Sequence, residues 1–323
     1  MIFGQTIKLI IIGAGKIGRS HVAAFSGIPG LEIVGIVSKG GNSAESLSQE
    51  FGIPYSGTDW RAIARKTGAN ACVVAVAHLE SESLCKEIIE FGLHILAEKP
   101  VSVNPESLMV LGELADNKGV VNMAGVNRRF YSTIIQALDT IRFYGDLKGL
   151  TVIAPDPVRD YMAMGTYSSE VYQQWAVMNT LHIFDTINLT LGYPTEIIGR
   201  GRFDDLENSW SCILSYPDDI LCTVISNNNS GGMQDWQLIF HGEGMSVQLG
   251  PLEKGFLRIN GETLPLPNVE VKGKFKAGLR EQALAFTEAM RNGSGAYYPA
   301  SDFRDHAQTI RLVDQMIHSA KNN

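Results

Sequence analysis

The stretch IKLIIIGAGKIGRSH, Ile7 to His21, decides the fold of the first part of the chain. A short, mostly aliphatic run comes first, and three glycines follow it as Gly13, Gly15 and Gly18. A buried run that leads straight into a GxGxxG pattern is typical of a strand, a tight turn and a helix. The first glycine permits the turn, the second lets the backbone approach a pyrophosphate, and the third lets helix and strand pack closely. The stretch therefore predicts a dinucleotide phosphate site at the N-terminus of the first helix.

The alternation of strands and helices continues as far as residue 126. Short runs rich in Val and Ile are separated by segments with helical periodicity, as in a parallel sheet buried on both faces. The pattern predicts an α/β first domain, residues 1–126, with a Rossmann-type doubly wound parallel sheet. The predicted strands are 7–12, 31–37, 71–77, 94–98 and 120–126, and the predicted helices are 16–26, 43–51, 59–66, 81–91 and 105–117.

After residue 147 the pattern changes to successive strands separated by turn-forming residues, with few helices. Strands that follow one another without crossover helices favour antiparallel pairing. The sequence therefore predicts a C-terminal α+β domain, residues 127–323, with a large, mainly antiparallel sheet. Its last two predicted helices are candidates for packing back on the first domain.

Composition and charge exclude several classes of protein. The 323 residues carry a formal net charge of −7, which argues against nucleic-acid binding because that needs a basic surface. No apolar run reaches the roughly 20 residues of a membrane helix, and the first residues lack the features of a signal peptide. No metal-site spacing occurs, so no metal is expected. Reduced packing cysteines in a cytoplasmic protein are expected at Cys72, Cys85, Cys212 and Cys222.

The residue that chooses between NAD and NADP is expected at the end of the second strand, roughly 20 positions after the glycines. A carboxylate there would bind the adenosine ribose and repel a 2′-phosphate, but the strand ends in Ser38 and Lys39. Serine can donate to a phosphate and lysine supplies a positive charge, so the sequence favours NADP over NAD. A solvated lysine in a turn, with NAD bound less selectively, stays open as the alternative.

The segment HILAEKPVS, His94 to Ser102, places charges directly after a buried run. We take this run as the fifth strand of the nucleotide domain, and ligands of open parallel sheets bind outside the carboxyl ends of the strands. Pro100 fixes its own φ and favours an extended conformation for Lys99, which would aim the lysine side chain in a defined direction. From the residues alone, Glu98 and Lys99 are as compatible with a charged pair at the surface as with a functional pair.

Four segments together resemble the glucose–fructose oxidoreductase / inositol dehydrogenase family: GAGKIG, AEKP at this spacing, GVNRRF and AFTEAMRNG. The resemblance extends over nearly the whole chain. It implies that Lys99 is catalytic and that Glu98 and Pro100 lie near the nicotinamide ribose. It also implies an NAD(P)-dependent oxidoreductase that moves a hydride between the nicotinamide and a carbinol or ketone carbon of a sugar, a nucleotide sugar or a cyclitol.

The chemistry of this resemblance needs a group that takes or returns a hydroxyl proton. The pKa of a free lysine is about 10.4, too high for a base at neutral pH. Burial and a nearby nicotinamide cation both disfavour the ammonium form and would lower the pKa of Lys99. The full predicted cofactor-binding set is Gly13, Ala14, Gly15, Lys16, Ile17, Gly18, Ser38, Lys39, Ala75, Val76, Ala77, His78, Glu98, Pro100 and Asn127.

A helix is predicted from Gln173 to Gly192, with a polar stripe of Asn179, His182 and Thr186 on an apolar background. Such a stripe must be paired or must line a cavity. In the resembling family a helix here often carries Asp-x-Gly-x-His-x-x-Asp. His182 matches the histidine, but Met178 stands where the first carboxylate is usual. The resemblance implies a catalytic His182 and leaves its usual carboxylate partner in doubt.

Substrate contacts are expected from the irregular segment 154–176 and from four side chains, namely Arg128, Asn179, Asp185 and Trp175. Structural roles stay open for Asp185 and Trp175, as they do for Arg129, Tyr161 and His21, the last being expected to pack.

A non-catalytic sensor that binds NAD(P) is the alternative function. The resemblance further implies a homodimer or homotetramer that pairs through the C-terminal sheet, and Trp236, Leu238 and Phe240 are compatible with an outward apolar face.

Overall fold

A computed structural model describes residues 6–165, 167–204, 208–228, 231–267, 275–293 and 295–322. Residues 1–5 of the predicted start and residue 166 of the predicted substrate segment lie outside the described residues. The chain divides into two compact units, Met1–Phe130 with Val271–Ala307, and Tyr131–Glu270 with Gln308–Asn323. The predicted first domain, residues 1–126, falls within the first unit, which also takes a segment from near the end of the chain.

The first unit contains a six-stranded sheet in the order β3-β2-β1-β4-β5-β6, and every neighbouring pair is parallel. A helix connects each strand to the next, so the predicted doubly wound architecture is confirmed. The short strand β3 was not predicted, and it makes HILAE the fifth strand. The elements are β1 (Ile7–Ile12), α1 (Lys16–Phe25), β2 (Leu31–Val37), α2 (Asn42–Phe51), β3 (Tyr55–Gly57), α3 (Trp60–Thr67), β4 (Ala71–Val74), α4 (His78–Phe91), β5 (His94–Glu98), α5 (Pro105–Lys118) and β6 (Asn122–Gly125).

The ends of these helices follow from local sequence. The Asp59 carboxylate accepts hydrogen bonds from the first amides of α3, and the Asn104 side chain does the same for α5. Gly52, Gly68 and Gly92 end α2, α3 and α4 in the left-handed conformation that glycine adopts without a steric penalty. Helix α3 is thus capped at both ends, which fixes its length, whereas α2 and α4 are capped at the C-terminal end alone.

The second unit contains an eight-stranded sheet in the order β14-β13-β12-β11-β7-β10-β9-β8. All its neighbouring pairs are antiparallel except β7 with β10, so the prediction of a mainly antiparallel sheet is confirmed. The remaining elements are α6 (Ser132–Tyr144), β7 (Leu147–Pro155), α7 (Val158–Ala163), α8 (Ser169–Gln173), a π-helical turn (Ala176–Thr180), α9 (Leu181–Leu191), β8 (Glu196–Phe203), β9 (Asn208–Ser215), β10 (Leu221–Asn227), β11 (Gln237–Gly242), β12 (Met245–Leu249), β13 (Gly255–Ile259), β14 (Glu262–Pro265), α10 (Leu279–Asn292) and α11 (Phe303–Asn322).

Helix α10 belongs to the first unit and packs against α1. The rings of Phe25 and Phe286 meet edge to face with centroids 6.3 Å apart, and both side chains are fully buried. The Arg280 guanidinium donates to the backbone oxygens of Ala24 and Ser26 just beyond the buried face. The amino-terminal unit is therefore completed by a segment more than 250 residues further along the chain.

The prediction that Trp236, Leu238 and Phe240 lie on the outward face of the second sheet is wrong. Trp236, Leu238 and Phe240 are all fully buried, because they lie on the face that packs into the interior. Side chains alternate between the two faces of a strand, so the outward face is offset by one residue. That face carries Ile198, Ile213, Ile225 and Phe256, each between 40% and 52% exposed.

Two local features of the second unit differ from the sequence expectation. The hairpin of β13 and β14 was not predicted, although Asn260 and Gly261 at its turn both have positive φ, as a two-residue hairpin turn requires. The helix predicted from Gln173 ends at Gly192 as expected, but Gln173 is the last residue of α8, and Ala176–Thr180 form a π-helical turn. π turns insert an extra residue and re-aim the side chains that follow.

The four cysteines are buried and free. Burial raises the pKa of the Cys85 thiol and of the Cys212 thiol to about 12 and also raises the pKa of Cys72 and of Cys222. Such thiols stay protonated and unreactive near neutral pH. Among the described residues, no helix has the length and apolarity needed to cross a membrane.

Candidate active site

The carboxyl ends of β1, β4 and β5 lie side by side and form what we call the carboxyl edge. Pairing brings Ile12 next to Val74, and Val74 next to Ala97. The chain leaves these strands through the glycine loop (Gly13–Gly18), the segment Ala75–His78, and Glu98–Pro100. The topology therefore brings three of the predicted site segments together at one edge of the first sheet.

The three glycines of the loop meet different surroundings. A Cβ at Gly13 would stand 2.1 Å from the Ala75 carbonyl oxygen, and Gly13 also has φ +108°. A Cβ at Gly18 would stand 1.8 Å from the Gly13 carbonyl oxygen, whereas a Cβ at Gly15 would meet no atom within 4 Å. Gly13 and Gly18 are thus required by packing, and Gly15 faces open space.

The open space at Gly15 fits a dinucleotide phosphate. Gly15 precedes the first turn of α1, and no side chain caps that helix end. Its first backbone amides and the positive end of the helix dipole are suited to a phosphate group. A methyl group at position 15 would occupy the space through which such a group approaches.

The end of β2 carries the predicted cofactor-selective pair. The Ser38 hydroxyl oxygen accepts a hydrogen bond from the Ala44 amide at 3.2 Å, at the start of α2. The Lys39 ammonium lies 2.5 Å from the Glu80 carboxylate, which comes from the first turn of α4. Sequence reasoning missed Glu80, whose negative charge faces the residue expected to meet a 2′-phosphate.

The end of β5 carries Glu98, Lys99 and Pro100. Glu98 and Lys99 are partly exposed, and the Lys99–Pro100 peptide bond is cis, which the sequence did not predict. The Glu98 carboxylate lies 2.6 Å from Nε2 of His21, a fully buried residue of α1. The expectation that His21 only packs is therefore incomplete, because its ring contacts a predicted cofactor-binding residue.

Three other predicted residues of the first unit lie just after β6. The Asn127 side-chain amide donates to the Ala277 carbonyl oxygen at 2.7 Å, which ties it to the segment before α10. Arg129 is buried and pairs with Asp305 at 2.6 Å, so it has the structural role that the sequence left open. Arg128 is partly exposed and stays a substrate-contact prediction.

In the second unit, the π-helical turn and α9 carry the predicted polar stripe. Asn179 and His182 are partly exposed, and we call these two residues the polar face. Thr186 and Asp185 are buried, and the Asp185 carboxylate accepts a hydrogen bond from the Thr309 hydroxyl at 2.8 Å. Asp185 thus lies in the interior of the unit, and its role as a substrate contact stays a prediction.

Asp156 is a carboxylate beside the polar face that sequence reasoning missed. It follows β7, is 1% exposed, and accepts hydrogen bonds from the Thr180 hydroxyl and from the Asn179 amide, the latter at 3.3 Å. The sequence signal was present, because a charge directly after a buried strand also drew attention to Glu98. Asp156 joins the end of the sheet to the π turn that carries Asn179.

Trp175 has the packing role that the sequence left open. Its indole stacks on the rings of Tyr161 and Tyr172, with centroids 5.2 Å and 5.8 Å apart, and only 4% of the residue is exposed. These contacts form a small aromatic cluster with Val158. A contact between Trp175 and the substrate stays a prediction.

Comparison with known proteins fits this geometry. Residues 7–126 match the family model described as "Oxidoreductase family, NAD-binding Rossmann fold". The matched region contains all six strands of the first sheet. Within the family region lie the glycine loop, Lys39 and Lys99, so the match covers the carboxyl edge and supports its fit to a nicotinamide dinucleotide, NADP or NAD.

Relatives extend the likeness beyond the family region. The chain is 24% identical over 191 residues to an inositol 2-dehydrogenase of Rhizobium meliloti, covering 58% of this chain and 56% of that protein. It is 27% identical over 148 residues to a glucose-6-phosphate 3-dehydrogenase of Bacillus subtilis, covering 45% of this chain and 41% of that one. The matches thus span about half the length of these relatives.

A solved dehydrogenase structure from Chromobacterium violaceum shares the fold. The two chains superpose with a TM-score of 0.85 over 98% of this chain and 96% of that one, at 13% sequence identity. The likeness at this identity concerns the fold of both units alone.

Proposed function

We propose that the protein is an NAD(P)-dependent oxidoreductase acting on a carbinol or ketone carbon of a sugar, a nucleotide sugar or a cyclitol. The observation that carries this proposal is the position of Lys99, directly after β5 on the same carboxyl edge as the glycine loop. The names of the relatives, an inositol dehydrogenase and a sugar phosphate dehydrogenase, support the substrate class.

In this proposal, the bound nicotinamide supplies the hydride acceptor or donor, and the chain manages the proton. The amides at the start of α1 bind the phosphates, and Gly15 leaves room for their approach. The Lys99 amine takes the proton from the substrate hydroxyl during oxidation and returns it during reduction. Its pKa must fall toward neutrality for this role, and a neighbouring cation and partial burial both act in that direction.

The polar face is proposed to orient the substrate. Asn179 and His182 offer a donor and an acceptor to a polyol at the partly exposed surface of the π turn and α9. His182 assists in moving or holding the proton, but Met178 denies it the usual carboxylate one turn earlier. Asp156 holds Asn179 in place from the end of β7.

A screen of purified protein tests the reaction class. NADPH and NADH formation would be followed by absorbance with inositols, free hexoses, hexose phosphates and nucleotide sugars as separate panels. We expect one panel to turn over at least about tenfold faster than the others, because a pocket that bonds specific hydroxyls rejects substrates lacking them. Binding of NADP or NAD with no turnover on any panel would favour the sensor and overturn the dehydrogenase.

We propose further that NADP is preferred to NAD, with Lys39 exchanging its contact with Glu80 for the 2′-phosphate. The Lys39 side chain is 86% exposed, and exposed ion pairs are weak enough to be exchanged. Glu80→Gln removes the competing charge and should raise kcat/KM for NADP by roughly threefold. Lys39→Ala should lower kcat/KM for NADP by about tenfold and leave NAD almost unchanged.

Glu87→Gln is the matched control for cofactor choice. Glu87 lies on the same helix as Glu80 and pairs with Arg61 at 2.5 Å, also at the surface. Its loss should leave the ratio of NADP to NAD unchanged. Tighter binding of NAD than of NADP by the unaltered protein would remove the proposed preference.

Self-association is proposed through the outward face of the second sheet, giving a homodimer or homotetramer. Ile198 and Ile213 stand opposite each other on β8 and β9, and Ile225 lies on the adjacent strand β10. Exposed apolar patches of this kind favour a protein contact. Ile213→Glu should produce monomers in sedimentation, and a monomeric unaltered protein at micromolar concentration would contradict the proposal.

A cytoplasmic location is part of the proposal on the basis of the protonated, buried thiols.

A further inference from the structure

The buried ring of His21 is linked to the catalytic segment through Glu98. His21 lies on α1, three residues after Gly18, and its side chain is 1% exposed. Its Nε2 lies 2.6 Å from Oε1 of Glu98, the last residue of β5, whose side chain is 20% exposed. One hydrogen bond therefore joins the helix of the glycine loop to the residue that precedes Lys99.

The second ring nitrogen of His21 decides which tautomer makes this bond. Within the described part of the chain, Nδ1 is buried and has no hydrogen-bond partner. A proton on Nδ1 would leave a buried N–H donor unsatisfied, whereas a proton on Nε2 is accepted directly by the carboxylate. The arrangement therefore favours a ring that donates its Nε2–H to Glu98.

Glu98 is confined on its other side by the neighbouring strand. Gly125 pairs with Glu98 across β5 and β6. A Cβ at Gly125 would stand 2.9 Å from Glu98 Cα and 3.1 Å from its carboxyl carbon. Glycine at position 125 lets the carboxyl group lie against β6, and the His21 bond then fixes one of its oxygens.

We propose that His21 is a positioning residue that holds the Glu98 carboxylate in its cofactor-binding orientation before the cofactor arrives. A free glutamate side chain loses considerable rotamer entropy when a ligand orders it. Because His21 and Gly125 have already restricted the side chain, that loss does not weaken binding of the ribose hydroxyls. This inference rests on the proposed role of Glu98 at the nicotinamide ribose.

Two variants of His21 separate positioning from packing. His21→Leu keeps an apolar side chain but removes the donor, and NAD⁺ binding should weaken by on the order of tenfold. His21→Gln places an amide N–H near the position of Nε2 and should restore most of that affinity. The measurement is a calorimetric or fluorescence titration with NAD⁺, which needs no substrate and no turnover.

Phe25→Leu is the matched control, since Phe25 is buried on the same helix and its ring lies 6.3 Å from that of His21. We expect it to lower the unfolding midpoint without changing the dissociation constant for NAD⁺. Equal NAD⁺ affinity in His21→Leu and the unaltered protein would overturn the positioning role. Failure of the unaltered protein to bind NAD⁺ or NADP⁺ would instead overturn the proposed function.

A measurement on the unaltered protein keeps the inference testable if His21→Leu does not fold. Imidazole ¹⁵N chemical shifts distinguish the two neutral tautomers and the charged ring. The inference requires the Nε2–H tautomer for His21 with and without NAD⁺. A proton on Nδ1 alone would overturn it, because the ring would then have no donor for Glu98.

Discussion

The carboxyl edge of the first unit and the polar face of the second unit are built by different means. At the carboxyl edge, backbone atoms set the geometry: a Cβ on Gly13 would overlap the Ala75 carbonyl oxygen, and a Cβ on Gly18 would overlap that of Gly13. At the polar face, side chains set the geometry, since the Asp156 carboxylate bonds Asn179 and Thr180 across a π turn.

The difference explains which site the sequence reveals. Only glycine satisfies a position where a Cβ has no room, so the pattern of the loop is fixed residue by residue. A carboxylate that anchors a helix can come from any segment within reach, so it leaves no fixed spacing. A change in the glycine loop should therefore affect cofactor binding, and a change at the polar face should affect substrate binding.

The largest expected effect comes from Gly18→Ala. Its methyl group would overlap the Gly13 carbonyl, and unfolding free energy should fall by about 3 kcal/mol or more, with cofactor binding lost. Gly15→Ala is the matched control, because its methyl group meets no protein atom. We expect Gly15→Ala to keep the stability within about 0.5 kcal/mol but to weaken NAD⁺ binding at least about tenfold. Equal losses of stability in both variants, measured by urea unfolding, would contradict the division of roles.

Asp156→Ala should have the next largest effect. The change leaves the Asn179 amide and the buried Thr180 hydroxyl without this acceptor, and unfolding free energy should fall by about 2 kcal/mol. Asp156→Asn keeps the shape and one acceptor and should cost about 1 kcal/mol. Both variants should raise KM for the substrate while the dissociation constant for NAD⁺ stays unchanged. A changed NAD⁺ affinity would contradict the expectation that Asp156 affects substrate binding and leaves cofactor binding unchanged.

The smallest expected effect is a pH dependence at the opposite end of β5. Burial lowers the pKa of His94, whose Nδ1 accepts a hydrogen bond from the Val121 amide at 2.8 Å. The unfolded chain therefore takes up a proton near pH 6.5, whereas the folded chain does so only at lower pH. The free energy of unfolding declines as pH falls through 6.5. His94→Gln should flatten the slope of unfolding free energy between about pH 5 and about pH 7 and leave turnover unchanged. An unaltered slope would remove His94 as its cause.

Much of the fold could be predicted from the sequence because its signals are local. Continuous Val- and Ile-rich runs gave five of the six parallel strands, but the three residues of β3 are too short for a period to be seen. The hairpin turn at Asn260 and Gly261 had its local signal and was overlooked. The outward face of the second sheet could not be assigned from Trp236, Leu238 and Phe240, because alternation alone does not say which face is covered.

The candidate site divides in the same way. The glycine loop and the position of Lys99 follow from motif and strand order. The contacts of His21 with Glu98, of Lys39 with Glu80 and of Asp156 with the π turn join residues 77, 41 and 23 or 24 positions apart. Such pairs depend on how helices pack on the sheet, which a single sequence does not specify. They are the reason that Asp156 and Glu80 were missed and that His21 was expected only to pack.

The measurement that tests the central claim most directly compares turnover and NADP⁺ binding in Lys99→Ala. With the substrate class from the screen, we expect kcat to fall by about 10³-fold, because the general base is lost, while the NADP⁺ dissociation constant stays within about twofold. Lys66→Ala, which removes an exposed lysine of α3, should leave both quantities unchanged. Unchanged turnover in Lys99→Ala would contradict the assignment of Lys99 as the proton-transferring residue.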